Sequence, residues 1–121
     1  MGAVAGPNLI VLMLTAMEHD LTFRINMKMD SRMQLSMSSI FHANAKSNWL
    51  NKLSANPNDT SAKCELDKLE AQERIIAALD KQLEMELTKL QNELKMVQQR
   101  KEAEEKLLDK NIQGAFSMGQ R

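Results

Sequence analysis

The second half of the chain has the most regular pattern of apolar and polar positions. Between Ile76 and Val97 apolar residues recur at intervals of three or four residues, close to a heptad repeat, which predicts a long amphipathic helix. Glu, Lys and Gln, all good helix formers, occupy the positions between them. We predict that this apolar stripe forms the seam of a helical hairpin: Ile76, Leu79, Leu83, Leu87, Leu90, Leu94 and Val97.

The stripe is interrupted after Val97. Residues 98–106 (QQRKEAEEK) contain one apolar residue, Ala103. The helix is expected to continue through them, because Glu102 precedes Lys106 by four residues and oppositely charged side chains at that spacing stabilise a helix. A stretch that is polar on all sides must be solvated, or must face a water-filled channel or a charged partner. We predict that it stays wet, as the lining of a lumen or as an outer surface. The apolar pattern then resumes and extends to Phe116.

The first half of the chain carries two competing patterns. A helical stripe runs from Ile10 to Ile40 with spacings of mostly four, whereas residues 21–29 alternate between apolar and polar, as in a half-buried strand. The strand reading would make residues 21–37 a two-stranded hairpin. Helix is favoured, because β-branched residues are few and an isolated two-stranded ribbon is only marginally stable.

A turn signal separates the two halves at residues 54–61 (SANPNDTS). Asn56 is expected to cap the second helix, with Pro57 at its first position. Helices joined by a short loop usually pack antiparallel. The sequence therefore predicts an all-α fold, an elongated, coiled-coil-like antiparallel hairpin that assembles through helix packing. Its parts are a Met-rich first arm (1–55), a loop (56–61, including Asn56, Pro57, Asn58 and Asp59) and an amphipathic second arm (62–121).

Composition and charge exclude several classes of function. Sixteen basic and sixteen acidic residues are interleaved, so the chain lacks the basic surface on which nucleic-acid binding depends. The chain has no phosphate-binding loop, nucleophile elbow or HExxH motif. Its single cysteine, Cys64, and its two separated histidines, His19 and His42, suggest no metal site. We expect no enzymatic activity, no cofactor and no nucleic-acid partner.

The segment Pro7–Met17 is strongly apolar but is too short to span a bilayer, which takes about 20 residues. It lacks the basic flank and the cleavage site of a secretory signal. We expect it to be buried against protein rather than in a membrane. Insertion into a membrane surface, as in a membrane-active amphipathic protein, is the alternative.

The first arm has more apolar side chains than one partner helix can cover. Burying each large apolar side chain contributes about 1.5–3 kcal/mol, so exposing several would forfeit energy comparable with the net stability of a domain, about 5–15 kcal/mol. The methionines, ten in the chain, provide an adaptable apolar surface. Self-association is therefore predicted, through an interface of Leu9, Ile10, Leu12, Leu14, Phe23, Met27, Met33, Met37, Ile112 and Phe116.

Two segments, Trp49–Gln72 (WLNKLSANPNDTSAKCELDKLEAQ) and Leu107–Phe116 (LLDKNIQGAF), resemble the needle subunits of type III secretion systems. The resemblance implies that Asn56–Asp59 form the hairpin loop and that Ile112 and Phe116 lie near a channel or a neighbouring subunit. It also implies a structural subunit of a filament, needle or tube, outside the cell or on its surface, exported without a cleavable signal. The alternative is a coiled-coil adaptor or export chaperone, in the cytoplasm, that binds the helices of another protein.

Overall fold

The computed structural model describes the backbone of residues 2–119 and the side chains of residues 8–115. The chain forms two helices, α1 (Gly2–Ala55) and α2 (Thr60–Gly119), and the described backbone contains no strand. This confirms the prediction of an all-α helical hairpin. Residues 21–37, for which the sequence pattern also allowed a strand, are helical throughout.

The loop between the helices is a hydrogen-bonded turn of Asn56, Pro57, Asn58 and Asp59. The backbone N–H of Asp59 donates to the carbonyl oxygen of Asn56 at 3.1 Å, and Pro57 occupies the second position, where its fixed φ favours a turn. The side-chain oxygen of Asn56 also accepts from the N–H of Asn58 at 3.4 Å. Asn56 and Pro57 therefore belong to the turn, and the prediction that they begin α2 is wrong.

Asp59 caps α2 instead. Its Oδ1 accepts a hydrogen bond from the backbone N–H of Ala62 at 3.1 Å, which satisfies one of the unpaired donors of the first turn. The helix begins at Thr60, three residues after the position predicted for it. It also begins two residues before the predicted start of the second arm at residue 62, so the loop is shorter than the predicted range of 56–61.

The chain divides into two compact units, each combining a segment of α1 with a segment of α2. Unit 1 contains Met1–Asn26 and Thr88–Arg121, and unit 2 contains Met27–Leu87. In unit 1 both helices contribute buried residues, and these form its apolar core: Leu14, Leu21 and Ile25 from α1, and Leu90 and Val97 from α2. Leu94 is half-buried beside them.

Unit 2 is built differently, because its buried residues all come from α2: Ala62, Leu66, Leu69 and Leu87. Between Met27 and Ala55, α1 contributes half-buried side chains but no fully buried one. Ion pairs also join the helices: Lys28 to Glu86 at 2.7 Å, Arg32 to Asp80 at 2.8 Å and Lys46 to Glu73 at 3.4 Å. The partners run in opposite order along the two segments, so the segments are antiparallel.

Asp80 occupies a position in the seam of unit 2 that the sequence pattern gives to Leu79. Buried and half-buried residues of α2 follow one another there at spacings of four and three, through Ile76, Asp80, Leu83 and Leu87. Leu79 is 45% exposed. The seam continues through an acidic residue because Arg32 on α1 binds its carboxylate.

A second polar residue of the seam lies in residues 98–106, which were predicted to be solvated. The ammonium group of Lys101 contacts Oε2 of Glu18 at 3.4 Å, and the two side chains are only 24% and 25% exposed. Glu104 is also half-buried. The other seven residues of this stretch are exposed, as predicted. The prediction fails for Lys101, because that side chain faces α1 within unit 1.

Candidate functional site

Four large apolar side chains of α1 in unit 2 are mostly exposed to solvent. Met33, Met37, Ile40 and Phe41 follow the spacing i, i+4, i+7, i+8, which places them on one side of the helix. We call these four residues the outer face. They are 64%, 65%, 60% and 71% exposed, respectively. Large contiguous apolar patches on protein surfaces are typical of interaction sites.

The outer face carries no charge. Residues 33–45 include no Asp, Glu, Lys or Arg. The charged residues that flank this stretch, Arg32 and Lys46, are bound by Asp80 and Glu73 of α2. A partner confined to these four side chains would not have to desolvate an ion, whereas one extending a turn towards the N-terminus would meet the exposed carboxylate of Asp30 on the same side of α1.

An open groove of about 500 Å³ lies between α1 and α2 within unit 2. Its apolar lining comes from Leu35, Leu79 and Leu83. Its polar lining is uncharged apart from one ion pair, in which the ammonium group of Lys28 lies 2.7 Å from Oε2 of Glu86. The remaining lining residues are neutral and polar: Ser31, Gln34, Ser38 and Gln82.

Arg32 and Asp80 form an ion pair with two hydrogen bonds in unit 2. Arg32 donates from Nε to Oδ1 at 2.8 Å and from Nη2 to Oδ2 at 3.2 Å, a two-pronged contact that fixes both side chains. The hydrogen bond from Arg32 lowers the pKa of Asp80 below its ordinary value. In the same way, hydrogen bonds from Lys28 and then Gln82 lower the pKa of Glu86.

These lowered pKa values predict that acid destabilises unit 2. The Arg32–Asp80 pair contributes fully to the stability of the folded state above the pKa that Asp80 has in the unfolded chain. This contribution is lost as pH falls through the lower pKa of Asp80 in the folded state. An Asp80→Asn variant should therefore melt below the wild type at neutral pH, and the difference should narrow below about pH 4. Thermal melting of both proteins, followed by circular dichroism from neutral to acid pH, measures this difference in melting temperature. A difference that stays constant with pH would contradict the role of the pair.

Unit 1 also exposes apolar residues on α1: Leu9, Leu12, Met13 and Phe23 are 60%, 58%, 66% and 62% exposed. A smaller groove, of about 370 Å³, lies between the two helices of this unit and is lined by Met17, Leu21, Met96 and Val97 together with Asp20, Arg24 and Glu93. Asp20 and Arg24 pair with each other at 3.1 Å. No helix in the described part of the chain is long and apolar enough to cross a membrane.

Most residues predicted for the assembly interface are exposed. Leu14 is not: it is 3% exposed, belongs to the core of unit 1 and offers no free surface. Ile10 is half-buried, and the side chain of Phe116 lies outside the described residues. The exposed members are Leu9, Leu12, Phe23, Met27, Met33, Met37 and Ile112.

The residues predicted for the seam are placed as follows. Leu87, Leu90 and Val97 are buried, whereas Ile76, Leu83 and Leu94 are half-buried.

Two members of the outer face, Ile40 and Phe41, are absent from the predicted interface. Their spacing from Met33 and Met37 is the sequence signal that identifies them.

The described residues contain no group of three or more His, Cys, Asp or Glu side chains that could hold a metal ion, and Cys64 is exposed and unpaired with another cysteine. Comparisons with protein-family models, curated proteins and solved structures gave no match. The geometry of the two units is therefore the basis for inferring a function.

Proposed function

We propose that this chain is a self-assembling structural subunit whose copies contact one another through the outer face of α1 and build a filament, needle or tube. One observation carries the proposal: Met33, Met37, Ile40 and Phe41 remain at least 60% exposed, while the three cations Lys28, Arg32 and Lys46 of the same helix are paired with carboxylates of α2. The resemblance of residues 49–72 and 107–116 to secretion-needle subunits agrees with it.

The energy available at the outer face is enough for weak pairing but not for an ordered polymer. At about 1.5–3 kcal/mol for each large apolar side chain fully buried, its four members would supply about 6–12 kcal/mol for each chain. Association itself costs about 4–15 kcal/mol. The outer face alone therefore supports weak pairing, and an ordered polymer needs further contacts. Exposed residues of unit 1, such as Leu12 and Phe23, are available for them.

A protein partner fits the outer face better than a membrane surface does. Amphipathic helices that lie on membranes usually combine an apolar face with free Lys and Arg that bind lipid headgroups. In unit 2, Lys28, Arg32 and Lys46 are instead held by carboxylates of α2. A methionine-rich face also adapts its packing to a protein surface.

Sedimentation velocity of the purified full chain over a wide range of concentration tests the proposal. Self-assembly predicts species much larger than the monomer whose proportion increases with concentration. A monomer at every concentration would overturn the proposal and favour the adaptor, which keeps its apolar face for the helices of another protein.

A further inference from the structure

The side of α1 that packs against α2 in unit 2 is mostly polar. Ten residues of α1 between positions 27 and 55 are half-buried, none is fully buried, and six of the ten are polar or charged. Those six are Lys28, Ser31, Arg32, Ser38, His42 and Lys46. In unit 1, α1 instead contributes the fully buried Leu14, Leu21 and Ile25. Charged contacts therefore have a larger share in joining the helices of unit 2 than in joining those of unit 1.

The charges of unit 2 are distributed unequally between its two helices. The cations of its cross-helix ion pairs come from α1, and the carboxylates come from α2. Residues 27–55 contain four basic residues and one acidic residue, a net charge of +3, whereas residues 60–87 contain four basic and seven acidic residues, a net charge of −3. In unit 1, residues 1–26 contain one basic and two acidic residues and residues 88–121 contain seven basic and five acidic ones, which gives −1 and +2. Attraction between the net charges of the two helices is therefore stronger in unit 2.

We infer that acid and high salt open unit 2 selectively: its helices separate locally, while those of unit 1 remain paired. In acid the carboxylates are neutral and His42 is protonated, so residues 27–55 carry +5 and residues 60–87 carry +4, and the attraction becomes a repulsion. Salt at neutral pH screens the same attraction, because the ion pairs are partly exposed.

Unit 1 should resist both conditions. Acid leaves its two segments positive as well, but Leu14, Leu21 and Ile25 are fully buried there. Burial of apolar side chains needs neither an ionised carboxylate nor an unscreened charge. The apolar core therefore holds the helices of unit 1 together where those of unit 2 open.

The carboxylates that titrate in unit 2 lie near the cations of α1 at three places. These groups are Asp80 and Glu84 near Arg32, Glu86 near Lys28, and Glu70 and Glu73 near Lys46. Hydrogen bonds from the cations lower the pKa of Asp80 and of Glu86. A carboxyl group whose pKa is lowered on folding stabilises the fold above its unfolded pKa, and this contribution is lost as pH falls through the folded pKa. Unit 2 is therefore closed at neutral pH and opens in acid.

Hydrogen exchange of the full chain, resolved along the sequence by mass spectrometry, tests the inference. Exchange is measured at neutral pH in low salt, at neutral pH in about 1 M NaCl and at about pH 3. Protection factors, corrected for the intrinsic exchange rate in each condition, should fall by about tenfold or more in residues 28–50. In residues 14–25 they should fall by less than about threefold.

The double variant Lys28→Gln, Lys46→Gln separates charge from structure, because it lowers the net charge of residues 27–55 from +3 to +1. Its unit 2 should be less protected than that of the wild type in low salt, and added salt should reduce the protection further by a smaller factor. A purely structural role for these lysines would leave the response to salt unchanged. Lys81→Gln is the matched control: it removes an exposed cation from α2, so the protection of unit 2 should not decrease.

Two results would overturn the inference. One is an equal loss of protection in both units, in acid or in salt; the other is a unit 2 whose protection does not respond to salt. The measurement is repeated at two protein concentrations, so that its outcome is separate from that of the proposed self-assembly. Local opening predicts protection factors that are independent of concentration, whereas a loss of protection that appears only on dilution would report disassembly and would contradict the inference.

Discussion

Leu87→Asp is expected to destabilise unit 2 by about 3–5 kcal/mol, the usual consequence of leaving a buried charge without a partner. Leu87 is 6% exposed and belongs to the small set of fully buried residues in that unit. Small domains have a net stability of only about 5–15 kcal/mol, so much of unit 2 should unfold. The α1 segment of this unit has no fully buried side chain that could compensate for the loss.

Thermal and urea denaturation, followed by far-ultraviolet circular dichroism, measure this effect. Met85→Asp is the matched control: it introduces the same charge two residues earlier, at a side chain that is 67% exposed. An exposed substitution of this kind should change stability by no more than about 0.5 kcal/mol. Equal denaturation midpoints for the two variants would show that Leu87 is not part of the core.

The double substitution Met33→Glu, Met37→Glu should abolish self-assembly while leaving each chain helical. It removes two of the four large apolar side chains of the outer face, a loss of about 3–6 kcal/mol of burial energy. It also introduces two carboxylates that a docked neighbour would have to desolvate. The fold should tolerate the change, because both methionines are more than 60% exposed.

Sedimentation velocity and circular dichroism of the double variant should therefore show a folded monomer. Its control is Met85→Glu, which places a carboxylate on the other helix at similar exposure and should assemble normally. If the double variant assembles to the same extent as the wild type, the outer face is not an assembly contact.

Part of this architecture could be predicted from the sequence, because apolar spacing reports directly on helix periodicity. The stripe from Ile76 to Val97 and the single interior turn were enough to predict a helical hairpin. Polar residues of the seam could not be found in this way. Asp80 and Lys101 look like solvated charges until their partners, Arg32 and Glu18, are placed on the opposite helix.

The orientation of α1 was harder to predict. Residues repeated every four positions advance around a helix of 3.6 residues per turn, so a long stripe spaced by fours turns away from a straight seam. After Ile25, which is buried, Met29, Met33 and Met37 are therefore exposed, and the seam continues through Lys28 and other polar or half-buried residues.

The loop posed a similar ambiguity, because Pro57 suits both the first turn of a helix and the second position of a β-turn.

Negative-stain electron microscopy of the purified full chain is the most direct test of the proposal that this protein builds filaments through the outer face of α1. We expect filaments or tubes of uniform width for the wild type and for Met85→Glu. The double variant Met33→Glu, Met37→Glu should form none. Discrete particles in place of wild-type filaments, or filaments that persist in the double variant, would contradict the account.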